Sequence, residues 1–153
     1  SKIYGYDTCY TINGSRVEFI DTANGFRLPT EAEWEYSARA GSTEDFAGSG
    51  SLADLGWYSG NSGGLLKRSG QKPANAFGLY DVHGNVREHC WDWYSETYYA
   101  ASPSADPKGP TAGARRVSRG GSYAEGMLAC RLPARLAEDT SSAACGLRLF
   151  RNK

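Results

Sequence analysis

Residues 25–36 read GFRLPTEAEWEY and predict a short extended segment that runs into an α-helix. Thr30 and Glu33 stand at capping-box spacing. The threonine hydroxyl can accept from the Glu33 N–H, and the Glu33 carboxylate can accept from the Thr30 N–H. Trp34 falls on the face that would be buried, and Gly41 supplies a stop. We therefore expect one well-defined helix that begins at Thr30.

Short strands and long loops are predicted on either side of this helix. Upstream, residues 8–19 alternate apolar side chains around Asn13-Gly14, a pair that supplies positive φ to a tight hairpin. Downstream, residues 48–76 are rich in Gly, Ser and Asn and predict surface loops. Further strands are expected at residues 86–93, 116–119 and 146–150. One helix with many short strands indicates an α+β fold.

Length and charge exclude several classes of function. The chain has 153 residues, with 17 Lys+Arg against 17 Asp+Glu, which suits one domain with one core. It lacks the basic excess typical of nucleic-acid-binding proteins, and no apolar run approaches the roughly 20 residues that span a bilayer. We expect a monomer that binds no nucleic acid and does not insert into a membrane. Residues 1–4, SKIY, hold neither a start methionine nor a signal peptide, so a processed, cut or partial chain is expected.

The four cysteines, Cys9, Cys90, Cys130 and Cys145, include no C-x-x-C pair. A structural zinc site is therefore not expected. Four cysteines allow three complete disulfide pairings, among which the sequence does not choose. The alternative is four free thiols that pack as small apolar side chains.

Four sequence blocks, in order and at matching spacing, resemble the formylglycine-generating-enzyme family, also called sulfatase-modifying factors. They are GFRLPTEAEWEY at 25–36, NAFGLYDVHGNV at 75–86, RVSRGGSY at 116–123 and GLRL at 146–149. The resemblance implies a C-type-lectin-like α+β fold with a helix pair, a small twisted antiparallel sheet and long ordered loops. Residues 1–153 would form one such domain. The family's N-terminal part is largely missing from it, so a preceding segment or a neighbouring chain is expected to complete the sheet.

The resemblance also carries an expectation about catalysis. Catalytic members bind copper(I) between two cysteines that follow the G-G-S-aromatic block, and this soft ion favours paired thiolates. Here the first position is Glu125 and the second is Cys130. We therefore expect no catalytic residue and no copper. The alternative is a formylglycine-generating-type oxidoreductase, or a related enzyme, with a degenerate copper site. His83, one of two histidines, is expected in a solvent-exposed turn.

A non-enzymatic branch of the same family comprises the variable proteins of diversity-generating retroelements. In that branch the stretch from R-G-G-S-aromatic to the terminal G-x-R-L block is mutated at asparagine codons and displayed as a ligand site. The matching stretch here is residues 116–150, and most of its residue types between 124 and 145 arise from an asparagine codon by changes at adenines. Glu125, Met127 and Glu138 do not fit this origin, and an ordinary ordered loop is the alternative.

The resemblance to this branch predicts a non-catalytic protein whose variable surface binds a protein or another macromolecule. By analogy with the branch, the partner would be met at the cell surface or outside the cell. A surface segment rich in Ala and Leu can serve as a contact patch. The expected ligand-binding residues are Tyr123, Ala124, Glu125, Leu128, Ala129, Leu132, Ala134, Leu136, Ala137, Ser142, Ala143 and Ala144.

The block at 81–88, DVHGNVRE, is where catalytic relatives bind a structural calcium ion. The resemblance assigns side-chain oxygens of Asp81 and Glu88 and carbonyls of Gly84 and Val86 to the metal, a mixed set that suits calcium. The alternative is a turn in which Glu88 pairs with a neighbouring arginine. Arg87 and His89 stand where relatives commonly carry tryptophans, so local repacking is expected.

Overall fold

The computed structural model describes residues 5–139 and 144–152. Within these ranges the chain forms one nine-residue α-helix, one four-residue α-helix and three small sheets. The helices are α1 (Glu31–Arg39) and α2 (Leu52–Leu55), with 3-10 turns at Tyr98–Ala100 and Met127–Cys130. The strands are β1 (Tyr10–Asn13), β2 (Arg16–Phe19), β3 (Phe26–Arg27), β4 (Arg87–Trp93), β5 (Arg116–Arg119), β6 (Leu136–Glu138), β7 (Cys145–Gly146) and β8 (Phe150–Arg151). The α+β class is confirmed.

Helix α1 begins as the sequence predicts. The Glu33 N–H donates to the Thr30 hydroxyl at 3.2 Å, and the Thr30 N–H donates to the Glu33 carboxylate at 2.8 Å. Ala40 then adopts left-handed geometry with φ 46°, and Gly41 follows at φ 91°, which ends the helix. In the described residues, α1 and the four-residue α2 stand where a helix pair was expected.

A four-stranded sheet in the order β6-β5-β4-β7 forms the centre of the fold. Strands β4, β5 and β6 pair antiparallel, as expected, but β7 pairs parallel to β4 over two residues. The stretch 146–150 was expected to be one closing strand. Instead β7 ends at Gly146, and β8 starts at Phe150 and pairs with β3 in a separate two-stranded sheet.

The core lies between α1 and the central sheet. Its apolar members are Trp34, Ala38, Ala47, Val82, Cys90, Val117 and Leu132. Arg119 is fully buried beside them, 5.0 Å from the Trp34 ring centroid, and donates to Glu31 at 2.9 Å and to Glu35 at 2.6 Å. Arg135 donates to both Glu31 oxygens at 2.6 and 2.7 Å. The buried charges of the sequence motif are therefore paired, as burial requires.

The β1–β2 hairpin forms where predicted, with a small shift of the turn. Asn13 pairs with Arg16, so the loop residues are Gly14 and Ser15. Gly14 has φ 62°, whereas Asn13 belongs to a strand and does not adopt positive φ. A two-residue loop with glycine in first place needs positive φ at that glycine alone, which explains the shift.

All four cysteines are free thiols, three of them buried and Cys145 half-buried. The interpretation of the four cysteines as free thiols is therefore confirmed. None of the helices in the described ranges is long and apolar enough to cross a membrane.

Candidate functional site

Residues 123–144, called here the C-terminal segment, leave the end of β5 and return to β7. The segment makes a 3-10 turn at Met127–Cys130, passes along the sheet edge as β6, and is described up to Asp139 and again at Ala144. Three features decide what it can do: how its backbone is held, which side chains it exposes, and which charges it carries.

The first half of the segment is bonded to two neighbouring loops. The Tyr123 N–H donates to the Asn85 carbonyl at 2.8 Å, and the Tyr123 carbonyl accepts from the Ser62 hydroxyl at 2.7 Å. The Glu125 carbonyl accepts from the Ser59 N–H at 2.9 Å. These bonds fix the backbone of Tyr123 and Glu125 while leaving the Ala124 side chain exposed.

Asn85 joins these loops to one another. Its N–H donates to the Trp57 carbonyl at 2.7 Å, and its side-chain amide exchanges two bonds with the Lys67 backbone at 3.0 and 3.2 Å. Asn85 is 5% exposed and holds φ 62°, a left-handed geometry that asparagine tolerates. A Cβ on the neighbouring Gly84 would lie 2.0 Å from the Trp57 carbonyl oxygen, so the turn and the loop are in close backbone contact.

The second half of the segment is held from beneath by the buried Arg119. Its guanidinium donates to the Ala134 carbonyl at 2.8 Å and to the Leu132 carbonyl. Leu132 was expected on the ligand surface, and this prediction is wrong. Its side chain is 0% exposed and belongs to the core, and its N–H donates to the Asp45 carbonyl at 2.8 Å.

His83 also differs from its prediction as an exposed turn residue, because its side chain is 1% exposed. Its Nε2 accepts from the Ala47 N–H at 2.9 Å, which leaves Nδ1 to donate to the Cys130 carbonyl at 2.9 Å. Burial lowers the pKa of His83, so the ring is neutral at neutral pH. His83 therefore joins the loop after α1 to the 3-10 turn of the segment.

Arg87 forms an ion-pair cluster with the segment. Its guanidinium donates to both Glu125 oxygens at 2.6 and 2.7 Å and also to Glu138. Burial acts to raise the pKa of Glu125, but the bonds from Arg87 and Ser122 outweigh it and hold that pKa below its usual range. Glu125 is therefore a permanently ionised, paired carboxylate at neutral pH.

Cys130, which matches the second copper-binding cysteine of the catalytic relatives, is buried. Its side chain is 0% exposed, and burial together with the nearby Glu125 carboxylate raises the pKa of the thiol to about 12. A thiol with such a pKa carries almost no thiolate at neutral pH, and the thiolate is the form that binds metal.

The expected ligand-binding residues divide by exposure. Ala124 and Leu128 are exposed, the latter by 69%, and Leu132 is buried. Ser142 and Ala143 lie outside the described residues. The half-buried members are Tyr123, Glu125, Ala129, Ala134, Leu136, Ala137 and Ala144. Met127, which the codon argument had set apart, is 47% exposed beside Leu128, so the exposed part concentrates in residues 124–128, called here the tip.

Glu88 does not present free oxygens to a calcium ion. Arg148 donates to both of its carboxylate oxygens at 2.6 and 2.8 Å, and the Trp34 indole N–H donates to one of them at 2.6 Å. Arg148 also donates to the Tyr80 carbonyl at 2.7 Å. The alternative interpretation, in which Glu88 pairs with a neighbouring arginine, describes this geometry.

Asp81 has one free oxygen. Its Oδ2 accepts from the Ser69 hydroxyl at 2.5 Å and from the Gly70 N–H at 2.8 Å, while its Oδ1 is buried without a partner. Gly84 and Val86 lie in the turn before β4. No three His, Cys, Asp or Glu side chains converge as a metal site in the described ranges. This donor set does not fit calcium without displacement of Arg148, and calcium binding stays a prediction.

A separate cleft of about 470 Å³ lies at the N-terminal end of α1. Four of the charged residues that line it form two pairs, Arg27 with Glu33 and Lys108 with Asp21. The C-terminal segment does not line it, so the cleft and the tip are different surfaces.

Comparison with known proteins places this geometry in a family. The sequence matches the sulfatase-modifying factor enzyme 1-like domain over residues 7–153. The chain belongs to this family. The solved structure of Treponema denticola variable protein 1 superposes with a TM-score of 0.84 at 31% identity, covering 95% of this chain and 63% of that one. The C-type-lectin-like fold of the formylglycine-generating-enzyme type is thereby confirmed.

Curated relatives include enzymes and proteins with other names. A formylglycine-generating enzyme of Streptomyces coelicolor is 45% identical over 114 residues, which are 65% of this chain and 36% of the relative. Chaperone protein LppX of Paenibacillus barcinonensis is 32% identical over 159 residues, which are 90% of this chain and 53% of the relative. The chain thus spans between about a third and about half the length of these relatives.

Proposed function

We propose that this domain is a non-catalytic ligand-binding protein that displays its C-terminal segment to a macromolecular partner. One observation carries the proposal: Glu125, at the place of the first copper cysteine, is held by Arg87 through two bonds at 2.6 and 2.7 Å. The position that would supply a soft ligand instead holds half of an ion pair.

The chemistry of this arrangement opposes copper(I) catalysis. A carboxylate is a hard ligand, and copper(I) prefers thiolates. Binding copper here would also require Glu125 to leave Arg87, which would break two of the bonds of a partly buried guanidinium and leave Glu138 as its carboxylate partner. With the pKa of Cys130 raised to about 12, the remaining thiol offers little thiolate.

The backbone geometry supports display. Because bonds to Asn85, Ser62 and Ser59 fix the backbones of Tyr123 and Glu125 before any ligand arrives, binding through the tip has a smaller ordering cost than binding by a loose loop. The likeness to Treponema denticola variable protein 1 supports a variable-protein role for this chain. The cell-surface location and the retroelement origin stay predictions from the family branch.

An enzyme with a degenerate copper site is the second candidate, favoured by the 45% identity to a formylglycine-generating enzyme. The test that separates the two uses copper(I) and a cysteine-containing peptide. We expect the wild-type protein to bind no copper(I) at that site and to leave the peptide cysteine unchanged by mass spectrometry.

Substitution at Glu125 sharpens this test. Glu125→Cys supplies a thiol at the first cysteine position, beside Cys130, and is expected to gain copper(I) binding. Glu125→Ser, the matched control, is expected to gain none. Peptide oxidation by the wild-type protein, abolished in Cys130→Ser, would establish the enzyme instead.

A further inference from the structure

Arg87 contacts the C-terminal segment at three separate places along its length. Its side chain bonds to Glu125 in the first half and to Glu138 at the end of β6. Its own N–H donates to the carbonyl of Ala144, where the segment returns to β7, at 3.0 Å. Arg87 thus joins Glu125, Glu138 and Ala144 through one residue.

The partners of Arg87 are themselves supported. The Ser122 hydroxyl donates to Glu125 at 2.9 Å, and the Ser118 hydroxyl donates to Glu138 at 3.3 Å. The side chains of Arg87, Glu125 and Glu138 are 21%, 19% and 9% exposed, so solvent screens them less than a surface pair. Two carboxylates around one guanidinium form a cluster with a geometry that only the arginine fork can satisfy.

Arg87 itself stands on a rigid element. It opens β4, which pairs with β5 on one side and with β7 on the other. A side chain based on a central strand holds a defined position relative to the core, whereas the segment that it contacts is held at its ends by other residues.

From these contacts we propose that Arg87 is the positioning residue that keeps the two halves of the C-terminal segment in one fixed relation. The inference rests on the proposed function only in treating that segment as the ligand surface. Without the guanidinium, the half that carries Glu125 and the half that ends at Glu138 repel each other, and the tip opens while the core stays folded.

Two buried thiols report this opening without any ligand. Cys130 lies beneath the tip, and Cys90 lies in the core, 0% and 1% exposed respectively. Alkylation by iodoacetamide, resolved by peptide mass spectrometry, measures how often each becomes accessible. Arg87→Met leaves the Glu125 charge near Cys130 uncompensated, and this negative charge disfavours the Cys130 thiolate. Faster labelling of Cys130 in this variant can therefore only come from opening of the tip.

We expect Arg87→Met to label Cys130 at least about tenfold faster than the wild type, with Cys90 labelling unchanged, because local opening is selective where global unfolding is not. Arg87→Lys keeps the charge without the fork and should fall between the two. The matched control is Arg39→Met, which removes an arginine of similar exposure from a pair on α1.

Amide hydrogen exchange supplies the second arm, which also decides the matter if Arg87→Met does not fold. Glu125→Gln should speed exchange in residues 123–130 and spare β6, whereas Glu138→Gln should speed exchange in β6 and spare residues 123–130. Unchanged Cys130 labelling, or equal acceleration of Cys130 and Cys90, would overturn the positioning role. Since all these readouts use the free protein, they leave the ligand-binding proposal to its own test.

Discussion

The β1–β2 hairpin and the tip of the C-terminal segment both expose aliphatic side chains, but their backbones are held differently. Ile12 in the hairpin is 75% exposed and Leu128 in the tip is 69% exposed. Within the described ranges the hairpin strands pair only with each other, whereas the backbones of Tyr123 and Glu125, where the tip begins, are bonded to Asn85, Ser62 and Ser59. Exposure alone therefore does not distinguish the two regions. They differ in the bonds that fix the exposed stretch to the rest of the fold.

The largest loss of stability should follow substitution of Arg119, which supports both the core and the C-terminal segment. Arg119→Met removes one of the two arginine partners of Glu31 and of Glu35, and it frees two segment carbonyls. Breaking such a buried cluster should lower the free energy of unfolding by about 3–5 kcal/mol, measured by denaturant titration. Arg16→Met, which breaks an exposed pair with Glu18 in the hairpin, is the control and should change little. If Arg119→Met lowered the free energy of unfolding as little as the control does, Arg119 would not be a support of the core and the segment.

Asn85 should come next, because it ties the loops that hold the tip. Asn85→Ala loses both side-chain bonds to Lys67 and strains a residue with φ 62°, and we expect a cost of about 2–3 kcal/mol. Asn85→Gly relieves the backbone strain and should recover part of that loss. Equal stability of all three proteins would show that the tip is not held through this turn.

Much of this fold could be predicted from sequence, because local rules decide those parts. The capping box at Thr30 and Glu33 and the hairpin at residues 10–19 each follow from a few neighbouring residues. His83 and Leu132 could not be placed this way. Their burial depends on residues far along the chain: Cys130 and Ala47 for the histidine, Asp45 and Arg119 for the leucine.

The candidate site was predicted only in part for the same reason. The sequence showed that Glu125 stands at a cysteine position and that Arg87 stands at a tryptophan position. It gave no means of pairing two residues 38 positions apart. Met127 was set aside by a codon argument, although the 3-10 turn exposes it. Its neighbour Cys130 is buried in the same turn.

The pH dependence of the unfolding free energy tests the core beneath these surfaces at Asp92, whose side chain is 2% exposed. Burial, with a contribution from nearby Glu31, raises the pKa of Asp92 to about 6. A raised carboxyl pKa gives stability that is complete below the unfolded pKa and is lost as pH rises through the folded one. From pH 7 to pH 4, wild type should gain about 1–3 kcal/mol relative to Asp92→Asn, because their other groups titrate alike. A pH-independent difference between the two proteins would contradict this assignment.

Calcium is expected to have the smallest effect, and here geometry and family resemblance disagree. Because Arg148 bonds to both oxygens of Glu88, the geometry predicts the same melting temperature with calcium and with a chelator. The resemblance predicts stabilisation, because an ion that binds only the folded state raises its melting temperature. A calcium-dependent rise that disappears in Asp81→Ala would favour the resemblance over the ion pair.

The most direct test of the account is a pair of libraries selected against one folded protein, hen lysozyme for example. One library varies Ala124, Met127 and Leu128 at the tip, and the other varies exposed positions of the hairpin, including Ile12 and Val17. We predict that the tip library yields binders whose unfolding free energy stays within about 1 kcal/mol of the parent, and that the hairpin library yields few or none. Equal recovery from both libraries, or tip variants that unfold, would contradict the claim that this fold holds its C-terminal segment as a binding surface.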